Sequence, residues 1–253
     1  MIGVSSTKFC EESIESTLEK VSKEFGLWEI FSEGEQYLPL VLKRLTSISK
    51  SYKVKYSIHA PIADVNIAAL SERMREASTL ELMATMEQAM ELDVKTITIH
   101  PGIYSMVVHG QEKKSIERAK RSIRTLDRVI GEFGIGIAIE NMPSFKFMLG
   151  QTAEQLNELI EGTEMGVCFD IGHANTTNQT DQMIELFKDR IVNVHIHDNH
   201  GQQDEHLTIG DGNINFEPVI RKLSNYKGNY VIESKSLESA AESQKKLKAL
   251  LLQ

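Results

Sequence analysis

One pattern constrains this chain more than any other: short β-type runs alternate with longer amphipathic stretches, and they do so eight times. The strand-like runs are Ile2–Ser5, Leu27–Phe31, Tyr56–His59, Thr96–His100, Gly136–Glu140, Gly166–Asp170, Ile191–His197 and Tyr230–Glu233. Helix-like stretches rich in Glu, Lys, Leu and Ala follow at roughly 11–24, 36–51, 71–92, 111–133, 152–161, 180–189, 216–223 and 237–251. Strands separated by helix-length crossovers make a parallel sheet. Eight such units in 253 residues predict one closed (β/α)8 TIM barrel, spanning 1–253 as a single domain, and not an open doubly wound sheet. No Gly/Ser linker or low-complexity tract divides the chain. Thr152-Ala153-Glu154-Gln155 has capping-box spacing and predicts the start of the fifth helix.

Other classes fall away. A dinucleotide fold needs G-x-G-x-x-G after the first strand, where this chain has Ser5-Ser6-Thr7-Lys8. The glycines Gly131, Gly134 and Gly136 precede a strand instead, and no Walker A pattern occurs. No apolar run reaches the ~18 residues of a spanning helix, and no basic-then-apolar leader is expected. Two cysteines, Cys10 and Cys168, cannot build a disulfide framework, so the expected home is the cytoplasm. With 28 Lys plus Arg against 36 Asp plus Glu, the net charge of −8 argues against gripping nucleic acid by bulk electrostatics. The helical faces carry no feature that specifies a dimer, which leaves a homo-oligomer open.

Barrel chemistry is built at the C-terminal ends of strands. Here the third to eighth runs end in His59, His100, Glu140, Asp170, His195 with His197, and Glu233. The period of two places Thr96, Thr98 and His100 on one face and Ile97 and Ile99 on the other. The isoleucines then pack beneath the helices and the ligand-type residues face the barrel mouth. Two loops add Asp170-Ile171-Gly172-His173 and Asp204-Glu205-His206. A lone rim residue of this kind commonly makes only a hydrogen bond. Five histidines (His59, His100, His173, His195, His206) with four carboxylates (Glu140, Asp170, Asp204, Glu233) predict a metal site. Mixed imidazole and carboxylate donors suit a divalent transition metal such as zinc, manganese, cobalt or ferrous iron, whereas magnesium and calcium prefer all-oxygen shells.

Further residues are read more plainly. His109 and His200 lie in polar stretches and are expected to be solvated. His197 shares the inward face of His195 and is expected to contact substrate or to hold a structural hydrogen bond. Cys168 is expected to be a small core residue, and not a thiolate ligand. Glu29 is left between an acidic group at the mouth and a mere strand-end charge. Ser234, Lys235 and Ser236, just past Glu233, are either a phosphate-binding turn or a solvated one.

The motifs His59-Ala60-Pro61, His100-Pro101-Gly102, Ile139-Glu140-Asn141, Asp170-Ile171-Gly172-His173, His195-Ile196-His197-Asp198, Asp204-Glu205-His206 and Ile232-Glu233 resemble the xylose isomerase-like TIM barrels along nearly the whole chain. That superfamily includes sugar isomerases and epimerases and also endonuclease IV. Resemblance to the sugar branch implies one metal held by Glu140, Asp170, His195 and Glu233, with Glu140 and Glu233 also moving protons. His59, His100, His173, His197 and His206 would then bind substrate. Resemblance to the endonuclease IV branch implies three zinc ions, adding His59, His100, His173, Asp204 and His206 as ligands. Three departures speak against the second branch. The loop Ser32-Glu33-Gly34-Glu35-Gln36-Tyr37 is short and acidic. Pro61, Ile62 and Ala63 stand where that branch carries a DNA-inserting tyrosine, and Gly172 replaces its cysteine. The expectation is therefore a divalent-metal-dependent sugar or sugar-phosphate isomerase or epimerase. The alternative is an abasic-site endonuclease, and only that alternative brings nucleic acid in as a partner. A lyase acting on a polyol-like acid and a non-catalytic metal-binding barrel stand behind both.

Overall fold

The structure, a computed structural model, describes residues 1–252. Its strands are β1 Ile2–Ser5, β2 Leu27–Phe31, β3 Lys55–His59, β4 Thr96–Ile99, β5 Gly136–Glu140, β6 Gly166–Asp170, β7 Ile191–Ile196 and β8 Asn229–Glu233. They pair in parallel in chain order, and β8 returns to β1, with Ile2 opposite Tyr230 and Ser5 opposite Glu233. Closure leaves no sheet edge unpaired. The helices are α1 Ile14–Val21, α2 Leu38–Ser49, α3 Glu72–Met90, α4 Glu112–Phe133, α5 Ala153–Ile160, α6 Ile171–Thr176, α7 Thr180–Phe187, α8 Phe216–Lys222 and α9 Leu237–Leu251. The molecule is the expected TIM barrel. No described helix is long and apolar enough to cross a membrane.

The two faces of each strand divide the work. Trp28, Ile30, Ile58, Ile97, Ile99, Ile137 and Ile139 are at most 1% exposed and belong to the core between sheet and helices. Each such side chain contributes about 1.5–3 kcal/mol by leaving water. The interior face is small and polar, where barrels of this type usually stack branched aliphatics. Asn193 Nδ2 donates to Glu29 Oε2 at 2.9 Å and Thr98 Oγ1 at 3.1 Å, and Ser57 Oγ donates to Glu29 Oε2 at 2.8 Å. A hydrogen-bonded floor therefore lies inside the barrel, beneath the rim.

Some sequence-based boundaries move. β4 stops at Ile99 and β7 at Ile196, one residue short of His100 and His197. Pro101 has no N–H to continue the ladder after His100. After His197 the chain turns into an antiparallel bridge between Asp198 and Leu207. The segment after β6 is not the expected loop: it is α6, an additional helix that begins at once because the Asp170 side chain caps it, accepting from His173 N at 2.6 Å. Thr152 caps α5 as expected, accepting from Gln155 N at 3.2 Å. Gln155 does not complete the box; its side chain accepts from Gly150 N and donates to the Tyr104 hydroxyl.

Candidate metal centre

All nine residues singled out as ligands converge at the C-terminal mouth of the barrel. They fall into linked donor groups whose candidate atoms lie within 4.8 Å of one another. The deepest is Glu140, Asp170, His195 and Glu233, all buried. Register explains the convergence, since Asp170 lies directly across from His195 on the neighbouring strand. Beside it are His59 and His100, whose Nε2 atoms lie 3.2 and 3.1 Å from Glu140 Oε2. Glu140 thus belongs to both groups. The third group, His173, His197, Asp204 and His206, sits nearer the surface on α6 and the long β7–α8 loop.

His195 is the pivot. Its Nδ1 lies 2.9 Å from Glu140 Oε1 and 3.1 Å from Glu233 Oε1, and its Nε2 lies 2.7 Å from Glu29 Oε1. Glu29 is therefore an inward carboxylate below the mouth, neither at the rim nor a solvated strand-end charge. A carboxylate behind a ligating imidazole fixes the tautomer and leaves the opposite nitrogen free for a cation. Asn141 holds the next strand, donating through Nδ2 to the Asp170 carbonyl at 2.9 Å and accepting from Asp170 N at 2.8 Å. The outer loop is organised by the buried Asp198. It accepts from the backbone N–H groups of Asn199, Gly210, Gly212 and Ile214 at 2.8–3.2 Å. His206 holds a left-handed backbone with φ 48°, uncommon outside glycine and a mark of local strain where a side chain must be aimed.

The electrostatics follow from packing imidazoles against carboxylates. Burial opposes charging His173 and His195. Asp170, Asp204 and Glu140 outweigh it at His173, and Glu29, Glu233 and Glu140 do so at His195, holding both imidazoles well above their ordinary value. The same balance raises His197 to about 9. Burial likewise opposes ionising Glu233, but His195 and His206 draw it down to about 2. Glu140 and Asp204 are also held below the usual carboxylate range, against burial, by the histidines around them. Two buried ligand-type atoms nevertheless lack any hydrogen-bond partner, Asp170 Oδ2 and His197 Nε2. Orphaned atoms of this kind inside a ring of ligand-type groups fit a missing cation, because buried polar atoms are otherwise almost always paired. The buried His, Glu and Asp groups suit a divalent metal.

Above the ligands opens a cavity of about 380 Å³. Phe31, Ile62, Met142, Pro143 and Met148 contribute apolar walls, and Glu140, Glu233 and four of the histidines contribute polar groups. Phe31 stacks on His59 at 4.3 Å, holding that ring from below the wall. Lys8, Lys235 and Ser234 also reach the cavity. Ser236 does not; it caps α9 by accepting from Ser239 N. Cys168 is fully buried within reach of Glu140 and His195, and burial pushes its thiol up, so it remains protonated. His109 is exposed, and His200 is exposed and pairs with Glu205 at 2.9 Å, in keeping with solvated positions. The sequence reading missed the supporting residues Asn141, Asn193, Asp198 and Asn199. Asn141 and Asp198 stand in the quoted motifs without a role, and Asn193 and Asn199 had no signal beyond proximity in sequence to the ligands.

Comparisons with known proteins agree with this geometry. The family model described as "Xylose isomerase-like TIM barrel" matches residues 22–250. An uncharacterized protein of Methanocaldococcus jannaschii is 37% identical over 259 residues, covering 98% of this chain and 88% of its own length. A solved structure titled as a D-tagatose 3-epimerase-like protein superposes with a TM-score of 0.92 at 35% identity, covering 99% of this chain and 97% of the other. A probable endonuclease 4 of Thermoplasma volcanium is 24% identical over 202 residues, covering 74% of this chain and 68% of its own. The barrel fold and a family model that spans most of the sequence agree: the chain belongs to the xylose isomerase-like TIM-barrel family.

Proposed function

We propose that this protein is a divalent-metal-dependent isomerase or epimerase of a small ketose or ketose phosphate. The observation that carries the reading is the cavity itself. At about 380 Å³ it is at the scale of small-molecule sites, and two glutamates on separate strands, Glu140 on β5 and Glu233 on β8, border it. Zinc, manganese or cobalt held by Glu140, Asp170, His195 and Glu233 would supply a Lewis acid that polarises the substrate's carbonyl and neighbouring hydroxyl.

The two glutamates are not equivalent. Glu140 is 1% exposed and is approached by His59, His100 and His195, so its lone pairs are largely engaged. Glu233 is 8% exposed and is approached by His195 at 3.1 Å and, more loosely, by His206 at 3.6 Å. Glu233 is therefore the freer group to take a proton from the carbon beside the carbonyl. Glu233 can return that proton to the adjacent carbon itself; for inversion, Glu140, on another strand, would deliver to the opposite face a proton relayed from the histidines that approach it, while Glu233 keeps the one it took. The apolar wall of Phe31, Ile62 and Met148 limits water at the carbanionic carbon. Lys8 and Lys235 place positive charge at the opposite edge, where a phosphate group would sit. The loop expected to disfavour DNA is tied to the apolar side of the mouth: Glu33 Oε1 accepts from the backbone of Ile62 and Ala63 at 2.7 and 2.8 Å. The 35% identity to a D-tagatose 3-epimerase-like protein supports the same reading.

A second reading, phosphodiester hydrolysis at abasic DNA, is favoured by one observation. The donor groups offer more ligands than one ion needs, and three ions can orient water and clamp a phosphodiester. A head-to-head assay separates the two. Metal-loaded protein is incubated with a panel of ketoses and ketose phosphates, and in parallel with abasic duplex. Interconversion of a ketose with no nicking is the expected result; metal-dependent nicking at low protein concentration with no ketose turnover overturns it.

A further inference from the structure

His197 is one residue beyond β7, fully buried, and in no hydrogen bond through Nε2. That atom lies 3.2 Å from Asp204 Oδ1 and 3.3 Å from Asp170 Oδ1, and its ring stacks on His206 at 4.2 Å. His173 meets it edge-on at 5.7 Å. The donor atoms of His173, His197, Asp204 and His206 all lie within 4.8 Å of one another. A second feature explains how the ring reaches this place. Gly172 lies in the first turn of α6, and a Cβ built on it would overlap the His197 ring. Glycine is otherwise the poorest helix former after proline, so its use here trades helix propensity for room. Any larger residue at 172 requires His197 to leave.

We infer that His197 is the fourth protein ligand of the outer metal position, which Gly172 makes room for. Three protein ligands leave an open coordination place for water or substrate, whereas four close a tetrahedral shell. The outer ion is then a fixed charge and a clamp joining α6, the end of β7 and the β7–α8 loop. It activates no water; an ion at the inner group, whose donors are three carboxylates and one imidazole, would take substrate by expanding beyond four ligands. Parallel rings do not aim both nitrogens at one point, so loading swings His197 or His206 out of their present stack. The inference adds a second ion to the metal-dependent barrel proposed above and does not rest on its substrate.

The test is metal binding, read without turnover. Zinc affinity is measured by titration against a competing chelator, and cobalt-loaded protein is examined by visible absorption with and without azide. The wild-type protein should show an azide-resistant tetrahedral cobalt component. His197→Phe keeps the ring's bulk and removes its donors; Gly172→Ala displaces the ring and leaves its chemistry intact. Both should make that component azide-sensitive and weaken one zinc by about tenfold or more, and the double variant should be no worse than either single one. If one variant fails to fold, by circular dichroism, the other decides. Wild-type zinc affinity and an unchanged azide-resistant band in either folded variant overturn the inference. Loss of azide resistance in the folded variants, together with no ketose turnover by the metal-loaded wild type, would sink the sugar reading and leave this one standing.

Discussion

The inner and outer halves of the donor array are built by different means. Glu140, Asp170, His195 and Glu233 stand on strand ends that the closed sheet locks in register. Beneath them Glu29, Ser57, Thr98 and Asn193 form a hydrogen-bonded floor. His173, His197, Asp204 and His206 come instead from a six-residue helix, the residue after a strand, and a loop held by Asp198. Asp204 and His206 remain about a quarter exposed, at 27% and 26%. A site on strands is positioned by the whole barrel; a site on a loop is positioned by a few local hydrogen bonds and by whatever it binds. Proton movement therefore falls to the inner half and clamping to the outer.

The largest expected effect falls on the inner half. Glu233→Gln keeps the side chain's shape and one ligand oxygen but removes its basicity, so turnover should fall by about 10²–10⁴ even when excess metal keeps the site loaded. Turnover within tenfold of wild type, with metal verified by elemental analysis, would remove Glu233 from proton transfer. Next comes Glu29→Gln, which breaks the support behind His195. Inner-site metal affinity should weaken by about 10–100-fold with the outer position unaffected. Equal loss at both, measured by chelator competition, would show that the halves are not separable. Asp198→Asn gives up part of the acceptor charge that gathers four backbone amides. It should lower stability by about 1–3 kcal/mol in chemical unfolding and weaken only the outer ion.

The smallest effect is on pH dependence. In metal-free protein the raised His173, His195 and His197 contribute stability that is fully present below their unfolded value of about 6.5. It is lost as pH rises through the folded values, about 9 for His197. The metal-free melting temperature should fall across that window, and the loaded protein should not follow, because bound metal replaces those protons. Parallel curves for both forms would contradict the protonated cluster.

The contrast between the halves also explains what was legible before the structure. Strand-end ligands announce themselves through period two: Ile97 and Ile99 face out, so Thr98 and His100 face in, and eight repeats imply one common rim. Asp204 and His206 were visible as ligand types, but nothing periodic says that Asp198 folds their loop back over the mouth. α6 was hidden because its start signal, Asp170, is also the end of β6. Glu29 was visible as inward-facing or not, but its depth depends on register with β3, where it lies opposite Ser57. His197 could be placed on the inward face, while its proximity to Gly172 is a contact across 25 residues of chain that no local pattern encodes.

The central claim is that this metal cluster serves proton movement on a small carbonyl substrate. It is tested most directly by incubating metal-loaded protein with ketoses and ketose phosphates in deuterated water and following the carbon-bound hydrogens by NMR. The account predicts deuterium at the carbon beside the carbonyl of at least one substrate, at a rate that collapses in Glu233→Gln. No incorporation into any of them by fully loaded protein, together with cleavage of abasic duplex, would contradict it.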